Sequence, residues 1–233
     1  KARRIKSVRI TEIIPLSHAT STVYIMFLHA EYREGNAETY VLPLTYASGT
    51  RTDEIIHENI RVVLARLRCR EKGEEGILYD ALLEGEFCNA LLETISRRRR
   101  WKGGEGELIS THTQAFRRLR NGGEASLEPS IIKAEQSNTS VVYGHRFILK
   151  FIRRLEEGIN PDLEIGRFLT ERGFPHIPPV AGAIEYHRGR GSQVTLAVLH
   201  GFVHNQGDAW QYTLDTLGQY FELALAKQTE AQP

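Results

Sequence analysis

A single lysine stands inside the apolar run Phe147-Ile148-Leu149-Lys150-Phe151. An ammonium group in such a strand is costly unless an anion meets it, so any fold for this chain has to bring a carboxylate or an anionic ligand to position 150. Two short strands precede the run, Ile131 to Ala134 and Ser140 to Tyr143, the second turned at Gly144-His145. Between them lies Glu135-Gln136-Ser137-Asn138-Thr139-Ser140, hydroxyl- and amide-rich and uncharged after Glu135. A helix follows. Asn160 suits its N-cap, Pro161 its first position and Gly173 its C-terminal left-handed residue. Ile165, Phe168 and Leu169 are read as its apolar stripe, and Glu164 borders that stripe one turn before Phe168. Glu164 is therefore the expected partner of Lys150. The alternative is a surface lysine and a surface glutamate that never meet.

Strand, polar loop, strand, turn and lysine-bearing strand is an order that sets a clamp over phosphates. The loop offers backbone N–H groups and short hydroxyls, and the lysine adds a point charge. On this reading Gln136, Ser137, Asn138, Thr139 and Ser140 are the flap, Lys150 contacts the phosphates and Glu164 holds Lys150. A rigid connection, Phe174 to Pro179, leads to a hairpin of Val180 to Tyr186 and Gln193 to Phe202 around Arg188-Gly189-Arg190-Gly191. Backbone groups at Gly201, Phe202 and Val203, where this hairpin ends, could face an adenine edge; the alternative is an ordinary strand-to-helix connection. Asp208 and Gln211 have capping-box spacing, and Trp210, Leu214, Leu217, Phe221 and Leu225 form the stripe of a long amphipathic helix.

The first half shows no comparable chemistry. Ser7 to Pro15, Thr20 to Tyr32 and Glu38 to Tyr46 read as a meander, with Arg33-Glu34-Gly35-Asn36 as one turn. Val63 to Cys69 alternates against Arg66, Arg68 and Arg70, Ile77 to Ala81 is a further strand, and Glu84 to Ile95 is a helix with Phe87, Ala90, Leu91 and Ile95 inward. The basic run Arg97 to Lys102 is short, and 30 Lys and Arg nearly balance 29 Asp and Glu, so the chain has no electrostatic footprint for nucleic acid. The run is expected to be a solvated loop, with a phosphate or partner patch as the alternative. Gly103-Gly104-Glu105-Gly106 does not complete a dinucleotide fingerprint. No apolar run is long enough to span a membrane. The nine histidines lack paired ligand spacing, so no metal site is expected, and Cys69 and Cys88 are expected to be inert core thiols of a cytoplasmic protein. Both ends resemble the edges of a fragment.

The strings Glu135 to Ser140, Phe147 to Lys150, Gly158 to Leu169 and Phe202 to Tyr212 together resemble the N-terminal lobe of maltokinases, in the superfamily of aminoglycoside phosphotransferases and protein kinases. Residues 1–128, including Lys1-Ala2-Arg3 and Ile14-Pro15-Leu16, are similar to that family's N-terminal cap. The resemblance implies an α+β fold: an antiparallel-sheet cap over 1–128, a protein-kinase-like ATP-binding lobe with one αC-like helix over 129–204, and at 205–233 a linker and first helix leading to an absent C-lobe. It implies the reaction ATP plus maltose to maltose 1-phosphate plus ADP, with Mg²⁺, as part of the conversion of trehalose or maltose to glycogen or another α-glucan. It also implies that Val142 and Ile148 pack on the adenine. Implied partners are the C-lobe and a trehalose synthase domain or subunit, with neither nucleic acid nor membrane. No His-x-Asp with a following Asn and no Asp-Phe-Gly or Asp-Phe-Glu occurs, so the catalytic base and Mg²⁺ ligands are expected outside the chain, which is then inactive alone. The alternatives are the lobe of another small-molecule hydroxyl kinase of the aminoglycoside-phosphotransferase type, and a non-catalytic module that docks a neighbouring domain.

Overall fold

The computed structural model describes residues 3–18, 21–68, 73–121, 127–135, 138–189, 192–205, 207 and 209–230. Its first three strands form the expected meander: β1 (Ile5–His18), β2 (Ser21–Tyr32) and β3 (Glu38–Ser48). Val23, Ile25 and Phe27 of β2 are buried at period two, the signature of a sheet with one face on a core. Helix α1 (Thr50–Asn59), which the hydropathy pattern does not announce, leads to β4 (Val63–Arg68) and β5 (Glu75–Asp80). These strands are antiparallel in the order β1-β2-β3-β5-β4.

Helix α2 (Gly85–Ser96) buries Phe87, Leu91 and Ile95 as its periodicity predicts, and Cys88 with them. Burial pushes the Cys88 thiol up to about 12, so it is inert at neutral pH; Cys69 lies outside the described residues. The expected loop at 97–102 is instead a helix end followed by β6 (Arg100–Lys102). β7 (Glu107–His112) and the short helix α3 (Gln114–Arg120) come next.

Then come β8 (Pro129–Glu135), β9 (Asn138–Tyr143), β10 (Phe147–Ile152), the two-residue β11 (Arg154–Leu155), α4 (Pro161–Glu171), β12 (Val180–Arg188) and β13 (Ser192–Gly201). β11 adds to the first sheet beside β3. The others join a second antiparallel sheet in the order β6-β7-β12-β13-β10-β9-β8.

That order bears on domain organisation. β6 and β7 precede position 128, yet they extend the sheet that holds β8, β9, β10, β12 and β13, so the expected boundary between a cap and a lobe does not separate two compact units. Residues 1–202 form one unit, and one core runs through it, from Ile25 and Phe27 through Phe87 and Leu91 to Tyr143, Leu149 and Leu199. Tyr143 donates its buried hydroxyl to the Cys88 carbonyl at 2.7 Å, and Phe116 stacks on Phe147 with centroids 5.2 Å apart. The second unit, 203–233, carries helix α5 (Ala209–Glu230). Taken by itself, one helix has nothing against which to bury a stripe from Trp210 to Leu225. Asp208, the expected cap, lies outside the described residues.

Candidate functional site

Strand register decides which flap residues can reach Lys150. β9 and β10 oppose Ser140 to Lys150, Val142 to Ile148 and Asn138 to Ile152. Directly opposed residues share a face, so these six side chains line one side of the sheet. Thr139 opposes Phe151 on the core side, where it is 5% exposed and its hydroxyl accepts from Arg153 Nε at 3.0 Å. Thr139 is thus removed from the expected flap by strand alternation. Gln136 and Ser137 lie outside the described residues. Asn138 and Ser140 stay on the Lys150 face, together with Val142 and Ile148.

The helix supplies a carboxylate, but a different one. The Asn160 side chain caps α4, accepting from the amides of Asp162 at 3.0 Å and Leu163 at 3.2 Å. This places Asp162 in the first turn, where a carboxylate is favoured by the helix dipole. Lys150 Nζ lies 3.3 Å from Asp162 Oδ2. Glu164, the expected partner, is exposed and makes no ion pair among the described residues. The cause is the rotation of the helix. Its inward stripe is Leu163, Gly166 and Thr170, whereas Ile165 and Phe168 are 57% and 53% exposed. Phe168 instead carries the Arg172 guanidinium over its ring at 3.8 Å. Deeper along the same helix Arg167 pairs with the buried Glu185 of β12 at 3.7 Å.

Lys150 and Asp162 have side chains 41% and 49% exposed. A half-solvated pair of this kind contributes about 0–1 kcal/mol. It orients the ammonium without satisfying its three donors. Both residues line a cleft of about 370 Å³ with Asn138, Thr195 and the segment from Gly158 to Pro161. Arg154, Glu156 and Glu157 border it, so the cleft is polar and of mixed charge.

Behind Asp162 stands His200, which opposes Ile148 across β10 and β13. Its Nε2 is 3.9 Å from Asp162 Oδ2, and the ring also meets the Pro178 backbone. Burial pushes the imidazole below its ordinary value although Asp162 pulls the other way, so at neutral pH the ring is uncharged and leaves Asp162 to Lys150. Sequence reading passes over both Asp162 and His200. The Asn-Pro-Asp start of the helix is the one local signal for the first; nothing local marks the second.

At the end of the hairpin, the Gly201 amide donates to the Pro179 carbonyl and the Phe202 amide to the Arg146 carbonyl, each at 2.8 Å. Of the backbone groups expected to face an adenine edge, the amides of Gly201 and Phe202 are therefore engaged in the fold. The Val203 carbonyl accepts from the Asn205 side chain at 3.2 Å.

Among the described residues no group of three or more His, Cys, Asp and Glu is placed to hold a metal ion, and no helix is long and apolar enough to cross a membrane. No family model matches the chain. Among solved structures it is similar to a glucosamine kinase, with a TM-score of 0.42 and 15% identity over 86% of this chain. It spans 37% of the length of that protein.

Proposed function

We propose that this chain is the ATP-binding part of a small-molecule kinase of the maltokinase type, which transfers a phosphoryl group from ATP to maltose. The observation that carries the reading is the half-exposed ammonium of Lys150, held by Asp162 and opening into the cleft that Asn138 also lines. Its setting adds support. Three antiparallel strands, β8 to β10, bear the lysine on the third, and the helix that follows bears its carboxylate. Kinases of the protein-kinase type place their phosphate-binding lysine and its helix partner in this relation. Lys150 and Ser140 would meet phosphate oxygens, and Val142 and Ile148, on the same face, would pack on the base. The maltose assignment rests on the resemblance of Glu135 to Ser140 and Gly158 to Leu169 to maltokinases. The catalytic base, the magnesium ligands and most sugar contacts are assigned to residues outside this chain, in a second lobe; a trehalose synthase domain is the proposed neighbour.

Two measurements test this. Titrating the chain with a non-hydrolysable ATP analogue is expected to give weak binding that Lys150→Ala weakens at least tenfold, about 1.4 kcal/mol, and Asp162→Asn less. Equal binding by wild type and Lys150→Ala removes the phosphate clamp. Assay of the longer protein containing this sequence with ATP, Mg²⁺ and maltose is expected to release ADP only when maltose is present. ADP release with other sugars or amino-alcohols, but not maltose, leaves the clamp standing and overturns the acceptor.

A further inference from the structure

Helices α2 and α4 end in the same hydrogen-bonded turn. After α4 the Gly173 amide bonds the Thr170 carbonyl at 3.1 Å and the Phe174 amide bonds Leu169 at 3.0 Å, with Gly173 at φ 69°. After α2 the Arg98 amide bonds Ile95 at 3.1 Å and the Arg99 amide bonds Thr94 at 3.0 Å, with Arg98 at φ 52°. Glycine is the residue that takes this left-handed position without cost. Arg98 is the one non-glycine residue with positive φ among the described residues. A cost accepted at α2 and avoided by glycine at α4 calls for a use of the arginine side chain.

The use lies in space rather than in the turn. Arg98 and Gly173 line one cleft of about 490 Å³, together with His112, Gln114, Arg118 and Glu171. Arg98 donates from Nη2 to the His112 carbonyl at 3.3 Å, which steadies the guanidinium while its other donors remain available. Arg118 makes no ion pair among the described residues. His112 adds no charge at neutral pH: its Nδ1 meets the Ile95 carbonyl at 3.2 Å, and burial, with Arg98 and Arg117 nearby, disfavours the imidazolium. Two guanidinium groups and one carboxylate, Glu171, therefore line the same cleft. Planar forks of this kind bind phosphate oxygens, and a carboxylate beside them accepts hydroxyls.

We propose that this cleft, distinct from the one at Lys150, binds a small phosphorylated compound bearing hydroxyl groups, with Arg98 and Arg118 on the phosphate. The inference does not depend on the nucleotide reading.

Glucose 6-phosphate, inorganic phosphate and glucose serve as probes, with affinity read by calorimetry and the unfolding midpoint by thermal melting. Glucose 6-phosphate is expected to bind and raise the midpoint, inorganic phosphate to bind more weakly, and glucose to do neither. Arg98→Gly is the informative variant, because it relieves the left-handed backbone: its unliganded midpoint should equal or exceed that of the wild type, while its affinity for glucose 6-phosphate falls at least tenfold. Arg118→Gln should weaken binding several-fold at an unchanged midpoint. Glucose 6-phosphate binding that survives in the Arg98→Gly, Arg118→Gln double variant overturns the proposal, as does failure of both phosphorylated probes to bind the wild type. Lys150→Ala should leave this binding unaltered.

Discussion

Glu12 shows what a single buried charge can organise. Its side chain is almost closed to solvent, yet its two oxygens accept from the amides of Gly104 at 2.9 Å, Glu105 at 2.8 Å and Gly106 at 3.1 Å, from its neighbour Ile13 at 2.9 Å, and from Tyr186 Oη at 2.7 Å. The glycines at 103–106 thus cradle a carboxylate of the chain itself. A Cβ on Gly103 would stand 2.7 Å from Ile14 Cγ1 and 2.8 Å from Glu12 Cδ, which is why no larger residue fits. Burial pushes the Glu12 carboxyl up, but the donated hydrogen bonds of Tyr186 and of the Glu105 and Gly104 amides outweigh it and hold the group below its ordinary value. A depressed carboxylate stabilises the fold above its unfolded-state value, near 4.3, and loses that contribution as pH falls through the folded value. Glu12→Gln, which keeps the size and removes the charge, is expected to cost about 2 kcal/mol in urea denaturation at pH 7. The gap to wild type should narrow as the pH is lowered below about 4. A gap that stays constant with pH would show that the carboxylate charge is not what the cradle holds.

At the level of the element, α4 decides how the lysine is met. Gly166 is part of its inward stripe, and a Cβ there would stand 2.7 Å from Cγ2 of the fully buried, β-branched Val180. Helix propensity alone favours Gly166→Ala by about 1 kcal/mol, whereas overpacking a stiff core side chain costs about 1–3 kcal/mol. Overpacking is expected to win: Gly166→Ala should lower the unfolding midpoint, and, by lifting the helix from the sheet, weaken nucleotide-analogue binding. A raised midpoint would refute the close approach. This helix also marks where reading the sequence succeeds and where it stops. Asn160, Pro161 and Gly173 are local signals, and they place the helix ends correctly. The strands around Lys150 are legible too, because short apolar runs at 140–143 and 147–151, separated by the turn at Gly144-His145, are a local property. The rotation of the helix about its axis is not local. Ile165 and Phe168 look like the buried stripe because they are the large apolar residues, but a glycine and a threonine let the backbone lie close to Val180 and so take the inner face. The carboxylate that meets Lys150 is consequently two residues earlier than periodicity implies. His200 is invisible for the same reason, since only the pairing of β10 with β13 brings it behind Asp162.

Across the whole of residues 1–202 the two sheets share what the sequence divides. Residues 129–202 contain every side chain of the Lys150 cleft, which makes them look like a separable lobe. Yet the inner face of β9, β10 and β13, with Val141, Tyr143, Phe147, Leu149, Phe151 and Leu199, is buried in the same cluster as Phe27, Phe87, Leu91 and Phe116 from the first half. Arg153, which follows β10 directly, pairs with Asp80, the last residue of β5, at 2.5 Å, and its carbonyl accepts from the Val41 amide at 2.8 Å. Six large side chains stripped of their cover would each forfeit about 1.5–3 kcal/mol of burial, a sum at or beyond the whole stability of an ordinary domain, about 5–15 kcal/mol. A polypeptide of residues 129–202 is therefore expected to be unfolded, with collapsed amide-proton dispersion and rapid proteolysis. Adding a separate polypeptide of residues 1–128 should restore dispersion only in the mixture, because the core is completed from both sides. If 129–202 alone gives a dispersed spectrum and resists protease, the shared core is dispensable and the Lys150 cleft stands on an independent lobe after all.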